Sequence, residues 1–454
     1  MKVVIVGAGE VGFHIAGHLT VEKKDVVVVD KNPEALVRVS EKLDVQTIEG
    51  SGSSPDVLEE AGVRDAEILL AVTNSDEVNL AACLMTNILA PGTRKLARLR
   101  SAEFDAYHEH FKTHAPHIDT VINPEIEVVR TIRRLMNVPG AVDVAEFAEG
   151  RVRFVGIKLD PSARVAGARL AELGQRIGGA RPLIAAVIRD EELIIPRGDD
   201  RLRPGDEVYF ISEASRLIET LAMFDKQVEP VNRVLIMGGG SVGYRLAKDL
   251  DDTDTYVKII DKNPARCNIL AERLNKAIVL QGDGSDQSLL AEENIGDMDM
   301  AVALTNDEET NIIASLLAKR MGAKKVITRV SKFSHFNLLG AIGIEKVVSS
   351  RLSAINTILQ HIRSGRVLSA IFIKGEQAEV IEAEAMETSD IVGKPLKRIR
   401  LPKGVLVASV IRGDEVIIPS GDTIIEAGDH TIIFARREAI SKMEKILVVK
   451  LEYV

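Results

Sequence analysis

The 454-residue sequence predicts an α/β fold of two tandem units, each a doubly wound parallel sheet followed by a small α+β lobe. Three observations carry this expectation: aliphatic runs alternating with helix-periodic stretches, a glycine turn between the first strand and first helix, and repetition of the whole plan in the second half. "VVIVGAGEVG", Val3–Gly12, returns as "VLIMGGGSVG", Val234–Gly243. Gly7, Gly9 and Gly12 fall on Gly238, Gly240 and Gly243 at a shift of 231, as does "DKNP" at 30–33 on "DKNP" at 261–264. "AVTNSDEVNL" (71–80) matches "ALTNDEETNI" (303–312) at 232, and "AAVIRDEELIIPRGD" (185–199) matches "ASVIRGDEVIIPSGD" (408–422) at 223. Insertions and deletions therefore lie between matched blocks, and a unit of about 225 residues is duplicated. The chain exceeds the roughly 100–200 residues of one ordinary domain, so such a division is expected.

In order along the chain, strands are expected at 3–6, 25–29, 45–48, 67–72, 94–99 and 119–122, separated by helical patterns such as "VGFHIAGHLT", "NPEALVRVSEKL" and "DEVNLAACLMTNIL". Strand and helix in that rhythm make a parallel sheet. A longer helical pattern, "PEIEVVRTIRRLM" (124–136), leads into "NVPGA", where proline and glycine mark a boundary and a hinge from Met136 to Gly140. Close-set strands around "RDEE" and "RPGD" turns then form the small lobe near 151–224. The expected division is a nucleotide-binding lobe with its crossover helix at 1–139, a small lobe at 140–224 and a linker at 225–232. A second nucleotide-binding lobe follows at 233–365 and a second small lobe at 366–454.

Composition narrows the class. No stretch approaches the ~18 apolar residues of a membrane span, so any membrane association is expected to be peripheral. The N-terminus reads as a first strand, without the cleavage site of a signal peptide, and implies a cytoplasmic protein. Cys83 and Cys267 are the only cysteines and form no CxxC, which argues against a disulfide framework or thiolate metal site. A net charge of -9 without a single tryptophan argues against nucleic acid.

GxGxxG between a strand and a helix is the Rossmann-like phosphate turn. Its first glycine takes a conformation closed to other residues, its second admits a pyrophosphate to the backbone, and its third lets helix meet strand. The phosphates then face the positive end of the helix. Asp30 and Asp261 end the second strands, where a carboxylate accepts ribose hydroxyls and repels a 2′-phosphate, favouring NAD(H) over NADP(H). The same carboxylate suits the ribose of ATP or ADP, so dinucleotide and mononucleotide both remain open. "EGSGS" (49–53) and "QGDGS" (281–285) follow the third strand and place Asp283 near the base in the second unit only. Thr73 and Asn74, with Thr305 and Asn306, follow the fourth strand as polar contacts, while Ser75 and Asp307 read equally as helix caps. Arg98, Arg100 and Arg329 close the fifth strand, where a guanidinium meets a phosphate or, for Arg100, a surface ion pair.

A dehydrogenase on this turn needs a substrate domain and a proton donor poised near neutral pH. The small lobes offer only His430, in a "GDH" turn, and no GxSxG occurs. The histidine cluster "YHEHFKTHAPH", with His108, His110, His114 and His117, includes an i, i+4 pair suited to zinc, but it has no counterpart in the second half and reads better as a solvated helix surface. The nucleotide is expected to be sensed, not consumed.

"SGSSPDVLEEAG", "AVTNSDEVNLAAC", "LARLRS", "PGAVDVAEFAEG", "GDGSDQSLLAEENI" and "AGDHTIIF" together resemble the RCK domain family, also called KTN domains, regulators of potassium conductance. The resemblance spans essentially the whole chain. It implies RCK lobes assembled as a cytosolic gating ring, a homotetramer of tandem chains, beneath a potassium uptake channel with a TrkH-type or TrkG-type membrane subunit. It implies no catalysis and NAD(H), with ATP or ADP at one or both sites. Carried across, Gly7, Gly9, Gly12 and Asp30 hold phosphate and ribose in the first unit with Thr73, Asn74, Arg98 and Arg100 around base and phosphates. Gly238, Gly240, Gly243, Asp261, Asp283, Thr305 and Asn306 do so in the second. Ser51 replaces the acid that Asp283 supplies and Ser331 stands near the place of Arg100, so unequal sites are expected.

Overall fold

The computed structural model describes residues 1–138, 140–173, 182–227, 229–332, 334–344, 346–362, 367–373 and 377–447. The expected hinge includes Pro139, which lies outside them. The chain divides into two compact units, Met1–Glu127 with Ser350–Arg363, and Val128–Ser349 with Ser364–Val454.

The first unit is built on six parallel strands, β1 (Lys2–Val6), β2 (Asp25–Asp30), β3 (Gln46–Glu49), β4 (Ile68–Ala71), β5 (Arg94–Arg98) and β6 (Thr120–Ile122), in the order β3-β2-β1-β4-β5-β6. Strands covered on both faces lose the apolar–polar alternation, which is why β2 reads as an unbroken buried run from Val26 to Val29. Its helices start where their sequences cap them. Asn32 accepts from the Glu34 N–H ahead of Pro33, and the Ser75 hydroxyl accepts from the Val78 N–H at 3.2 Å. One helix of this unit comes from far along the chain. The helix Ser350–Ile362 packs on the helix Glu10–Val21, with Arg351 Nη1 3.1 Å from Glu10 Oε2 and Arg94 Nη2 donating to the His361 carbonyl at 3.1 Å.

Among the described residues the second unit holds three sheets. β7 (Asp143–Phe147), β8 (Val152–Lys158), β9 (Leu183–Arg189), β10 (Glu192–Ile194) and β11 (Glu207–Glu213) form an antiparallel sheet in the order β10-β9-β11-β8-β7. A second parallel sheet follows, β14-β13-β12-β15-β16-β17, from β12 (Arg233–Met237), β13 (Tyr256–Asp261), β14 (Ile278–Gln281), β15 (Met300–Ala303), β16 (Val326–Arg329) and β17 (Val347–Val348). The last antiparallel sheet, β18-β19-β22-β20-β21, comprises β18 (Val367–Ile373), β19 (Ala378–Glu384), β20 (Val405–Arg412), β21 (Glu415–Ile417) and β22 (His430–Arg436). Strand for strand it repeats the first antiparallel sheet.

The helix Pro124–Asn137 contributes to this unit from Val128 onward. Ile132 and Leu135 join one core with Leu246 and Leu250 of the helix Ser241–Asp251, and Arg133 Nε lies 3.0 Å from Asp249 Oδ2. The two antiparallel sheets share another core, where Phe154 stacks between Tyr209 (5.6 Å) and Phe434 (6.1 Å). Two hydrogen bonds flank it, from Ala148 N–H to Glu382 Oε2 at 3.0 Å and from Arg151 Nη1 to the Gly413 carbonyl at 2.6 Å. Among the described residues no helix is long and apolar enough to cross a membrane.

The repeated "VIR…GD" pattern has a structural purpose in these sheets. Asp206 takes Arg189 Nε at 2.8 Å and Nη2 at 2.7 Å, and Asp429 takes Arg412 Nε at 2.9 Å and Nη2 at 2.8 Å. Burial raises the Asp429 pKa, but the hydrogen bonds from Arg412 and the Glu426 N–H, with the charges of Arg412 and His430, outweigh it and leave the carboxyl below its usual range. A depressed folded-state value stabilises the fold above the ordinary carboxylate range and is lost as pH falls through the lowered value. Asp429→Ala should therefore cost about 2 kcal/mol at neutral pH, the scale of a buried charged hydrogen bond, and less in acid. Urea midpoints of both proteins at pH 7 and pH 3 check this; an equal gap at both would refute it.

Candidate nucleotide-binding sites

Each parallel sheet presents its glycine turn at the carboxyl edge of its first strand, beside the point where strand order reverses. In the first sheet Gly7 has φ +116°, and a Cβ at Gly12 would stand 1.9 Å from the Gly7 carbonyl oxygen. The protein itself thus demands both glycines. Around Gly9 no atom lies within 4 Å of where a Cβ would be, so its backbone faces open space. The second sheet repeats this, with Gly238 at φ +111°, a Cβ at Gly243 falling 1.9 Å from the Gly238 oxygen, and Gly240 open.

The aspartates are aimed at these turns by backbone donors. Asp30 Oδ2 accepts from the Ala8 N–H at 2.6 Å and Oδ1 from Asn32 N–H at 2.9 Å. Asp261 repeats the pair with Gly239 N–H and Asn263 N–H, both at 2.8 Å. A carboxylate oxygen has room for a second donor, so both groups keep the capacity to receive ribose hydroxyls while locked in orientation.

At the ends of the fourth strands the threonines are anchored within the turn. Thr73 Oγ1 donates to Asn79 Oδ1 at 2.8 Å and Thr305 Oγ1 to Asn311 Oδ1 at 2.7 Å. The amide groups of Asn79 and Asn311 then tie these turns to the fifth strands, at the Arg98 carbonyl (2.8 Å) and the Arg329 carbonyl (3.1 Å). Ser75 and Asp307 both cap, the latter accepting from Thr310 N–H at 2.6 Å. Asn74 and Asn306 are exposed and receive Arg98 Nη2 at 3.0 Å and Arg329 Nη1 at 3.3 Å. Arg100 Nη2 donates to the Asn74 carbonyl at 2.5 Å.

Arg98 is buried, its Nε has no hydrogen-bond partner among the described residues, and burial together with the nearby Arg100 charge pushes its pKa down to about 10 against the pull of Asp76. Its hydrogen bonds go to neutral oxygens, the Thr73 carbonyl at 2.7 Å and Asn74 Oδ1 at 3.0 Å. In the second sheet Asp283 Oδ1 takes both the N–H (2.8 Å) and the hydroxyl (2.6 Å) of Ser285, bonds that hold its carboxyl below the usual range with help from Lys262 and against burial. Ser51 and Ser53 make the equivalent turn without a charge, their hydroxyls 2.9 Å apart.

Sequence reasoning passed over several groups. Asp76 receives the N–H of Arg100 at 2.9 Å, and Glu308 receives that of Ser331 at 2.8 Å, so Ser331 does stand in the place of Arg100. Arg266 Nε donates to the Gly239 carbonyl at 2.5 Å, and Arg38 reaches Glu10 as well as the matching Ala8 carbonyl at 3.4 Å. Asn79 and Asn311 were signalled by identity at matched positions of the two halves. Arg38 and Arg266 occupy different turns of corresponding helices, so the repeat gave no signal for them. Of the histidines, His110 and His114 stack with centroids 4.0 Å apart, and among the described residues no group of three His, Cys, Asp or Glu side chains is placed to hold a metal ion.

A Rossmann-like sheet followed by an antiparallel lobe, twice in one chain, is the tandem RCK architecture. Comparison with known proteins agrees. The TrkA-N domain matches residues 3–124 and 234–350, and the TrkA-C domain matches 154–225 and 380–448. The chain belongs to the TrkA family. It is 38% identical over 457 residues to the Trk system potassium uptake protein TrkA of Halomonas elongata, covering 100% of both, and 38% identical to TrkA homolog 1 of Methanosarcina mazei, covering 98% of this chain and 99% of that one. Among solved structures, the GsuK RCK domain has a TM-score of 0.59 at 19% identity, covering 98% of this chain and 94% of its own. The GsuK channel bound to NAD gives the same TM-score and identity, with 98% and 78% covered. These likenesses establish the shared fold.

Proposed function

We propose that this chain is the nucleotide-sensing regulatory subunit of a potassium uptake system. Several copies, four by the expected count, form a ring of RCK domains on the cytoplasmic face of the membrane beneath a TrkH-type or TrkG-type channel subunit. The chain catalyses nothing; nucleotide-dependent change in the ring opens or closes the pore. The observation that carries this reading is the pair of open glycine turns, each set against an aspartate already oriented by backbone donors. Potassium uptake comes from the names of full-length relatives, and NAD as ligand class is supported by the GsuK channel's structure with NAD.

NAD(H) or ATP/ADP would lie with phosphates over Gly7, Gly9 and Gly12 and ribose on Asp30, with Arg98 and Arg100 turned to negative charge. In the second site Gly238, Gly240, Gly243 and Asp261 take the same parts, with Asp283, Thr305, Asn306 and Arg329 around the ligand. The buried, underpaired Arg98 and the absence of an arginine at Ser331 favour unequal ligands. Self-assembly is supported by exposed apolar side chains on matched helices, Leu84 and Ile88 one turn apart on Asp76–Leu89 and Ile313 on Glu308–Arg320.

A ligand moves a gating equilibrium only by its differential affinity for the two states. Potassium flux into liposomes holding the channel subunit, measured with this protein under titration of ATP, ADP, NAD and NADH, is the direct test. Flux should respond to a nucleotide, and the response should vanish in Asp30→Ala or Asp261→Ala, identifying the sensing site. A flux indifferent to every nucleotide, or nicotinamide turnover with a small substrate, would reject the proposal.

A further inference from the structure

Glu10 is an acid inside the first glycine motif, at a position where the second motif has Ser241. Its carboxylate gathers two guanidinium groups and an imidazole. Oε1 takes Arg38 Nη1 at 2.5 Å, and Oε2 lies 3.1 Å from Arg351 Nη1 and 3.9 Å from His14 Nε2. Arg38 is held again by the Phe13 ring, 4.7 Å from its guanidinium carbon, and by the Ala8 carbonyl at 3.4 Å. Arg351, among the described residues, has Glu10 alone. Burial raises the Glu10 pKa, yet the Arg38 hydrogen bond and the charges of Arg351, Arg38 and His14 outweigh it and hold the carboxyl below its usual range. It is an anion at neutral pH.

We infer that Glu10 and Arg351 are the specificity pair of the first site, setting its preference between nucleotides that end in a phosphate and dinucleotides whose phosphates are internal. The inference rests on nucleotide binding at this turn, as proposed above. Glu10 lies in the first turn of the helix Glu10–Val21, where phosphates gather at the positive helix end. A terminal phosphate carries close to two negative charges near neutrality, an esterified internal one carries a single charge. The terminal group therefore meets the stronger repulsion from Glu10, and its relief is to draw Arg351 away from that carboxylate. A dinucleotide leaves the bridge intact. Because Arg351 sits on Ser350–Ile362, the bridge ties the kind of ligand at the first turn to a helix contributed by the second half of the chain. The second site, with Ser241 in place of the acid, lacks this discrimination.

Calorimetric titration of the full chain carrying Asp261→Ala, which silences the second site, tests the pair with ATP, ADP and NADH. Adding Glu10→Gln should tighten ATP and ADP by roughly tenfold, the scale of one screened charge interaction, and move NADH by less than about twofold. Adding Arg351→Gln instead should weaken ATP by roughly tenfold with NADH again steady. NADH binding thus reports that each variant is folded. Variants that shift all three ligands equally, or none, overturn the pair while leaving the nucleotide reading standing. A parent that binds no nucleotide overturns both.

Discussion

Alanine at Gly12 or Gly243 should destabilise the lobe that carries it and abolish nucleotide binding at that turn. The added Cβ would stand 1.9 Å from a backbone carbonyl oxygen, at Gly7 or Gly238, and neither the strand end nor the helix start can retreat without losing the turn. Overpacking costs about 1–3 kcal/mol, and more where, as here, the clash is with backbone. Gly9→Ala and Gly240→Ala give the contrast, since no atom lies within 4 Å of their Cβ positions. Those variants should melt like the parent yet lose affinity, because the space they fill is the space a phosphate needs. Thermal melts of all four with and without NADH separate the cases. A Gly12→Ala protein with the parent's melting temperature, or a Gly9→Ala protein with undiminished affinity, would refute the division of labour.

Phe434→Ala should be the most damaging change away from the nucleotide turns. Phe434 and Phe154 stack at 6.1 Å with their rings 13° from parallel, both fully buried, in the core shared by the two antiparallel sheets. Truncating a buried phenylalanine costs about 3–5 kcal/mol through lost burial and the cavity left behind. Phe434→Leu, which keeps most of the volume, should cost nearer 1–1.5 kcal/mol. Urea unfolding followed by limited proteolysis will show whether the loss falls on these lobes, with NADH affinity retained in native buffer. A Phe434→Ala midpoint equal to that of the parent would mean that the sheets do not depend on this core.

Much of the fold was legible because parallel strands buried on both faces write themselves as aliphatic runs. β1, β2 and β4 fall within a residue of their expected limits, and Pro33, Asn32 and Ser75 mark helix starts by chemistry that acts within three residues. The glycines and Asp30 were legible for the same reason, since motif spacing encodes a local turn. Partners brought together by tertiary structure were not. "PEIEVVRTIRRLM" shows an amphipathic helix, but no periodicity states which sheet its apolar face will cover. The spelling of the fourth-strand turns offered Thr73 and Thr305 as polar contacts but not their anchors, Asn79 and Asn311, six residues on, which accept from their hydroxyls. Glu10 and Arg351 are 341 residues apart, and nothing in the spelling of either segment points to the other.

That separation also sets a timetable. A ribosome adding about 5–20 residues per second spends roughly 20–70 s between translating Glu10 and Arg351. Until Ser350–Ile362 emerges, the first parallel sheet waits with one flank of the helix Glu10–Val21 bare. The nascent chain is thus an unfinished object for about three quarters of its synthesis.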